Sequence, residues 1–185
     1  RGMFQNAGSF NKNIDAWDVS NVTSFKEMFY DAGAFNQPIG SWNTASAKDM
    51  SGMFRKAKNF NQPIGTWNTA SVTTMTYMFE NADKFDKEIG SWNVSRVTNM
   101  AYMFQYAYGF NQDLTNWNVR GVGDFQYMFN GASSFNGDVT TWDVRGVGTQ
   151  TCTTDQYGNS HCNTGSMNYM FTSATAFNRD IRKWQ

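Results

Sequence analysis

Two cysteines, Cys152 and Cys162, enclose the segment TTDQYGNSH, and His161 stands directly before the second. Two thiols, an imidazole and the carboxylate of Asp155 in so short a segment allow several chemistries. The thiols could close a disulfide across a hairpin-like loop, which suits a secreted or luminal protein. They could stay free. With His161 and Asp155 they could ligate zinc, although no second C-x-x-C or histidine pair supplies the usual ligand spacing. A Cys–His nucleophile is a further use, but sequence neighbours in a loop seldom face one another productively, and a disulfide would consume the thiol.

General acid–base work needs convergent titratable groups, and His161 is the single histidine of the chain. No G-x-x-x-x-G-K-S/T, no helix-opening G-x-G-x-x-G and no H-E-x-x-H occurs. The acids Asp18, Asp86, Asp113, Asp138, Asp143 and Asp180 fill positions that other repeats give to Asn or varied polar groups, so they read as solvated or ladder residues. Calcium between coils would lack any EF-hand or nonapeptide signature. The expectation is a protein with no catalytic residues, no cofactor and no metal.

Net charge is zero, from 15 basic and 15 acidic side chains, so the overall balance points to no nucleic acid and no anionic membrane. No run approaches the roughly 20 apolar residues of a membrane span, and RGMFQNAGSF at the start holds neither an apolar signal core nor a basic leader. Sixteen Phe, 11 Met, 8 Tyr and 7 Trp stand against one leucine, Leu114, which predicts an aromatic and thioether core.

These residues are dealt out by a repeat. FNQPIGSWNT at Phe35 returns as FNQPIGTWNT at Phe60, with looser copies at Phe10, Phe85, Phe110, Phe135 and Phe177. Met-Phe pairs recur every 25 residues from Met3 to Met128, and the last interval, to Met170, is 42. An insertion of 17 residues, 149–165, accounts for the difference. Both ends cut a repeat open, so the sequence reads as a fragment of a longer protein.

The unit is V-T-x-M-x-x-M-F-x-x-A-x-x-F-N-x-x-I-x-x-W-N/D-V-S-x. Its first half, as in Val72, Met75, Met78, Phe79, Ala82 and Phe85, carries apolar groups at the spacing of one helix face and predicts a short helix capped by Ser71 or Thr73. Its second half, as in Ile89, Trp92 and Val94, alternates and predicts a strand of a few residues with Asn93 pointing outward. The asparagines after the repeat phenylalanine, Asn11 through Asn178, predict a ladder that bonds loop backbone between coils. Gly40, Gly65 and Gly90 are expected to permit a turn before the strand. One helix and one strand cannot bury their own apolar faces, whereas stacked units can. The predicted fold is therefore α/β: a right-handed, leucine-rich-repeat-like solenoid of about seven coils, one domain over residues 1–185, with a parallel sheet on one face.

On the motif V-T-x-M-x-x-M-F-x-x-A-x-x-F-N-Q-x-I-G-x-W-N-V-S, the chain resembles the BspA-type leucine-rich-repeat surface proteins, in their 25-residue mycoplasma-type surface-lipoprotein form. The resemblance covers nearly the whole chain outside the insertion. It implies a solenoid used for adhesion or protein binding at a cell surface and carries no catalytic residues. The G-V-G runs at Gly121–Gly123 and Gly146–Gly148 depart from the unit.

Three outward columns follow from the predicted sheet: Ala16, Ser41, Thr66, Ser91, Asn116 and Thr141; Asp18, Asn43, Asn68, Asn93, Asn118 and Asp143; and Ser20, Ala45, Ala70, Ser95, Arg120 and Arg145. The expected binding surface is the middle column with Arg120 and Arg145 at one end. A second column, Tyr77, Tyr102, Tyr127 and Tyr169, suits either an interface or burial between neighbours. Asn21 and Asn93 open glycosylation sequons. The insertion is expected to project as a polar loop, pinned by Cys152 and Cys162, with Tyr157 and His161 as contact residues. The function expected is a non-enzymatic scaffold or adhesion module, extracellular or in an oxidising lumen, binding a protein or glycan or capped by further repeats. Ice or lattice binding, and a structural subunit of a membrane-associated assembly, are the alternatives.

Overall fold

The computed structural model describes residues 1–148, 150–154 and 160–184, with 150–154 and 160–164 described as backbone. Within them the chain winds into a stack of coils 25 residues long, each bonded to the next. The predicted helix-plus-strand solenoid is not what forms. Among the described residues there is no helix, and the only named strands are β1 (Gln150–Thr154) and β2 (Ser160–Thr164), both in the insertion.

The Met-Phe segment shows why the helix fails. In the second coil the N–H groups of Phe25, Glu27, Phe29 and Asp31 donate to Asp49, Ser51, Met53 and Arg55 of the following coil, at 2.8–2.9 Å. The alternating N–H groups of Met28, Tyr30 and Ala32 close tight turns onto Phe25, Glu27 and Phe29. A helix would keep all of these bonds inside itself, and the apolar face would still lack a cover. Here a ribbon of linked turns shares half its donors with the neighbouring coil. The turns need left-handed backbone at two places in each coil, such as Glu27 and Asp31, Tyr77 and Asn81, or Tyr102 and Tyr106, and φ > 0 at the third residue of a tight turn is incompatible with helix. Thr73, expected as a cap, instead donates its hydroxyl to the carbonyl of Lys48 in the preceding coil.

The Trp segment is not a strand for a different reason. Trp42 N–H bonds back to Ile39 and Ala47 N–H to Thr44, so turns close on both sides of a three-residue extended stretch. No backbone hydrogen bond joins residues 42–44 to a neighbouring coil; the Thr44 hydroxyl donates instead to the carbonyl of Asn68. Between coils only isolated parallel bridges form, running Ser24, Asp49, Thr74, Asn99, Asp124. The inward and outward alternation nonetheless holds, with Trp92 and Val94 buried and Asn93 exposed.

The core is a set of aromatic columns. Phe29, Phe54, Phe79, Phe104, Phe129 and Phe171 stack at 5.4–5.6 Å. Within a coil the two phenylalanines lie about 4.0 Å apart, as for Phe79 and Phe85. From Trp42 onward each indole N–H donates to a carbonyl in the coil before, as Trp67 to Ile39 and Trp92 to Ile64, so the buried tryptophans do not leave their one donor unpaired. The asparagine ladder forms as the repeat predicts: Oδ1 of Asn11, Asn36 and Asn61 accepts from the backbone N–H of Asn36, Asn61 and Asp86, and the series runs on to Asn178. Gly40 and Gly65 serve close approach rather than a special turn, because a Cβ at either would stand 2.7 Å from the carbonyl oxygen of Pro63 or Glu88.

The insertion leaves the stack intact. Phe125, Tyr127, Phe129 and Gly131 bond to Ser166, Asn168, Met170 and Thr172 as if the intervening 17 residues were absent. It forms an antiparallel hairpin in which Cys152 is the register partner of Cys162 and Thr153 of His161. Its footing is the G-V-G departure: Gly148 N–H reaches the carbonyl of Gly123, and a Cβ on Gly165 would overlap that same carbonyl at 1.8 Å.

Candidate binding surface

Two faces of the stack compete as functional surfaces. On the Trp side the expected asparagine column is exposed and continuous, but its oxygens are in use. Oδ1 of Asp18, Asn43, Asn68, Asn93, Asn118 and Asp143 accepts from the backbone N–H two residues on. These are Asx turns that close the corner after each tryptophan. The hydroxyl column beside them is also turned to the fold: Ser41, Thr66, Ser91 and Thr141 donate to carbonyls of the preceding coil. What remains outward is a strip of amide N–H₂ groups ending in Arg120 and Arg145. Arg145 Nε lies 2.8 Å from Asp143 Oδ1, with Arg120 3.9 Å from the same carboxylate. That side-chain hydrogen bond, aided by the two positive charges, holds Asp143 down to about 2 and raises Arg145.

The Met-Phe side carries a surface that the sequence signalled only as a tyrosine column. Tyr77, Tyr102, Tyr127 and Tyr169 stack in sequence at 4.6, 5.1 and 4.9 Å. All four sit at left-handed φ near 60°, which costs a bulky residue on the order of 1 kcal/mol and turns each ring outward beside its neighbour. Burial raises the pKa of Tyr77 and Tyr102. Where Gly52 interrupts the column, Arg55 fills the gap, its guanidinium 4.7 Å from the Tyr77 ring and 5.4 Å from the Tyr30 ring. Arg55 is bonded to the buried carboxylate of Glu80; burial alone would lower its pKa, and the bond and charge of Glu80 outweigh that and raise it. Tyr106 and Tyr108 stand exposed beside the column.

The two faces differ in curvature. A ring carried from one coil to the next moves 4.6–5.1 Å in the tyrosine column and 6.3–6.5 Å in the tryptophan column from Trp42 to Trp142. Points nearer a rotation axis move less, so the coils fan open toward tryptophan and the tyrosines line the inner side of the curve. Stacked-repeat proteins use such concave surfaces for recognition.

Of the two loop residues expected to make contacts, Tyr157 lies outside the described residues, as does the zinc-ligand candidate Asp155, and for His161 the backbone position in β2 is what is placed. The backbone register sets Cys152 and Cys162 opposite one another. Among the described residues no group of three or more His, Cys, Asp or Glu could hold a metal ion, and no helix is long and apolar enough to cross a membrane.

Stacked coils, an aromatic core and one insertion emerging from an undisturbed stack define a tandem-repeat protein whose variable features sit on the outside of a constant frame. The family described as Mycoplasma protein of unknown function, DUF285, matches residues 1–85, 60–162 and 160–185, and the chain belongs to that family. No curated protein and no solved structure matches it.

Proposed function

We infer that the chain is a non-enzymatic recognition module of a cell-surface protein, of the adhesive kind that the BspA-type resemblance implies, and that it binds a protein partner along the inner, tyrosine-bearing side of its curve. One observation carries this reading: a four-ring tyrosine stack is kept in costly left-handed backbone on the concave face. Tyrosine and arginine are the residues that dominate protein interfaces, because they offer large contact areas at low entropic cost. The hairpin leaves the stack just before the coil that bears Tyr169, and a Cys152–Cys162 disulfide would fix its shape in an extracellular or oxidising setting.

The experiment compares surface proteins retained by the immobilised chain with those retained by two triple variants. Tyr77, Tyr102 and Tyr127 to serine should abolish retention of the specific partner, whereas Asn43, Asn68 and Asn93 to serine should leave it intact. Loss with the asparagine variant and retention with the tyrosine variant would move binding to the outer face and reject this reading.

A further inference from the structure

The fifth coil departs from the repeat where its side chains meet solvent. At positions that the two preceding coils give to Lys56 and Asn81, and to Lys58 and Asp83, it carries Tyr106 and Tyr108. They are 39% and 47% exposed, and outside the first and last coils no other large hydrophobic side chain among the described residues is so open. In the tyrosine column each ring covers the next, but Tyr106 and Tyr108 contact only each other among the described aromatics, with centroids 6.3 Å apart and planes tilted by 44°. Their faces are therefore free.

The frame around the pair is shaped to keep it so. Tyr106 N–H bonds to the carbonyl of Asn130 at 2.8 Å, and the residue after Asn130 is Gly131, where a Cβ would stand 2.3 Å from the Tyr106 ring. The ring thus rests on bare backbone, at a φ of 70° that glycine adopts without strain. Behind Tyr108, Gly109 lets the coil close on its neighbour, its N–H 3.0 Å from the carbonyl of Asp83, where a Cβ would lie only 2.9 Å from that oxygen. One coil back at the same position, Lys84 reaches away from the pair to Asn59 Oδ1 at 2.8 Å.

The border is polar and unengaged. In the register of the repeat, Tyr108 stands between Asp83 and Ser133, with Ser134 beside it at the surface. The side chains of Asp83, Ser133 and Ser134 make no hydrogen bond to the described residues. Free aromatic faces next to free oxygen acceptors suit a ligand with an apolar face and a rim of O–H donors. A pyranose ring has both, since its axial C–H groups pack on an aromatic face while its hydroxyls point outward to donate. A proline-rich peptide, the other guest that paired tyrosines accept, is rich in carbonyls and poor in N–H, and would leave the acceptor-only carboxylate of Asp83 unmatched. A broad protein contact would bring apolar neighbours into its centre, whereas the pair stands among Asp, Asn, Ser and Gly.

We propose that Tyr106 and Tyr108 are the stacking platform of a saccharide site, which takes a pyranose ring of a neutral glycan and bonds its hydroxyls through Asp83 and Ser133. The site lies beside the tyrosine column and needs no protein partner to form.

The test titrates the chain alone with the methyl pyranosides of glucose, galactose, mannose and N-acetylglucosamine, with their linear oligomers, and with deca-proline, by calorimetry and saturation-transfer NMR. One or more of the sugars should bind, with saturation strongest at the ring C–H groups. The double change Tyr106→Ala and Tyr108→Ala should weaken binding by about tenfold or more with the urea midpoint unchanged, whereas Tyr106→Phe with Tyr108→Phe should stay within about threefold, because the faces are kept. Asp83→Ala, which leaves both rings in place, should weaken it about fivefold. Binding of none of the sugars, binding of deca-proline in their stead, an alanine pair that binds as tightly as the unaltered chain, or a phenylalanine pair that loses as much as the alanine pair would each overturn the proposal.

Discussion

The Met-Phe edge and the Trp edge of one coil both bury aromatic rings, yet they are held by different forces. Along the Met-Phe edge the main chain itself joins the coils, with four N–H groups of residues 25–31 bonded outward at 2.8–2.9 Å. Along the Trp edge main-chain bonds across coils are sparse, Leu114 N–H to the carbonyl of Asp138 being one; an indole N–H, a buried threonine hydroxyl such as Thr44 Oγ1, and an asparagine oxygen make most of the connections instead. Backbone bonds fix the spacing near that of paired chains, and side-chain bonds allow more. The curve of the stack follows from that inequality, and with it the choice of face for recognition.

The sharpest way to break the comparison is at a close backbone approach between two coils. Gly137→Ala places a Cβ 2.1 Å from the carbonyl of Gln112, so the two coils must part, and a loss of about 3 kcal/mol or more is expected in urea unfolding. Phe79→Ala empties a fully buried site that touches Phe54, Phe85 and Phe104 and should cost about 3–5 kcal/mol, with the tyrosine face disordered as well. Trp92→Phe is the matched change on the other edge. It keeps most of the ring but leaves the carbonyl of Ile64 without the indole donor, for an expected loss of about 1–3 kcal/mol by the same measurement.

Smaller effects sharpen the picture. Tyr102→Gly relieves the left-handed backbone at φ 62° while deleting two ring contacts, and the two effects, each on the order of 1 kcal/mol, should nearly cancel in stability. Tyr102→Val keeps the strain and loses the stack, so it should be clearly worse than glycine. The smallest effect is electrostatic. Asp143 has its folded pKa lowered to about 2 by Arg145, so its contribution is present above the unfolded value near 4 and is lost as pH falls through the folded value. Arg145→Ala should therefore diminish the stability difference between pH 5 and pH 2, detectably only at low salt, because the pair is solvent-exposed.

Much of this was written in the repeat. The period, the coil count, the buried identity of Phe79, Trp92 and Val94, the asparagine ladder and the neutrality of the insertion toward stacking all follow from which residues recur every 25 positions. The helix did not follow, because apolar steps of three and four residues are shared by a helix and by a ribbon of tight turns, and Tyr77 or Lys56 in left-handed backbone gives no signal of its own. Gly52, Asn81 and Gly131 at the same two positions were the available hint, since those residue types tolerate φ > 0. The asparagine column was legible as exposed but not as occupied, because an Asx turn is a local backbone event that the alternation of W-N-V does not report.

What the sequence determined by itself is the stack: a unit too small to bury its own aromatics, repeated in register, can be stable only against copies of itself. Which half of each backbone's donors turns to the next coil, which edge is thereby held closer, and so which face becomes the inner one was decided by the tertiary structure alone, because those outcomes depend on hydrogen bonds between residues 24 and 25 apart that exist only once the coils are in contact.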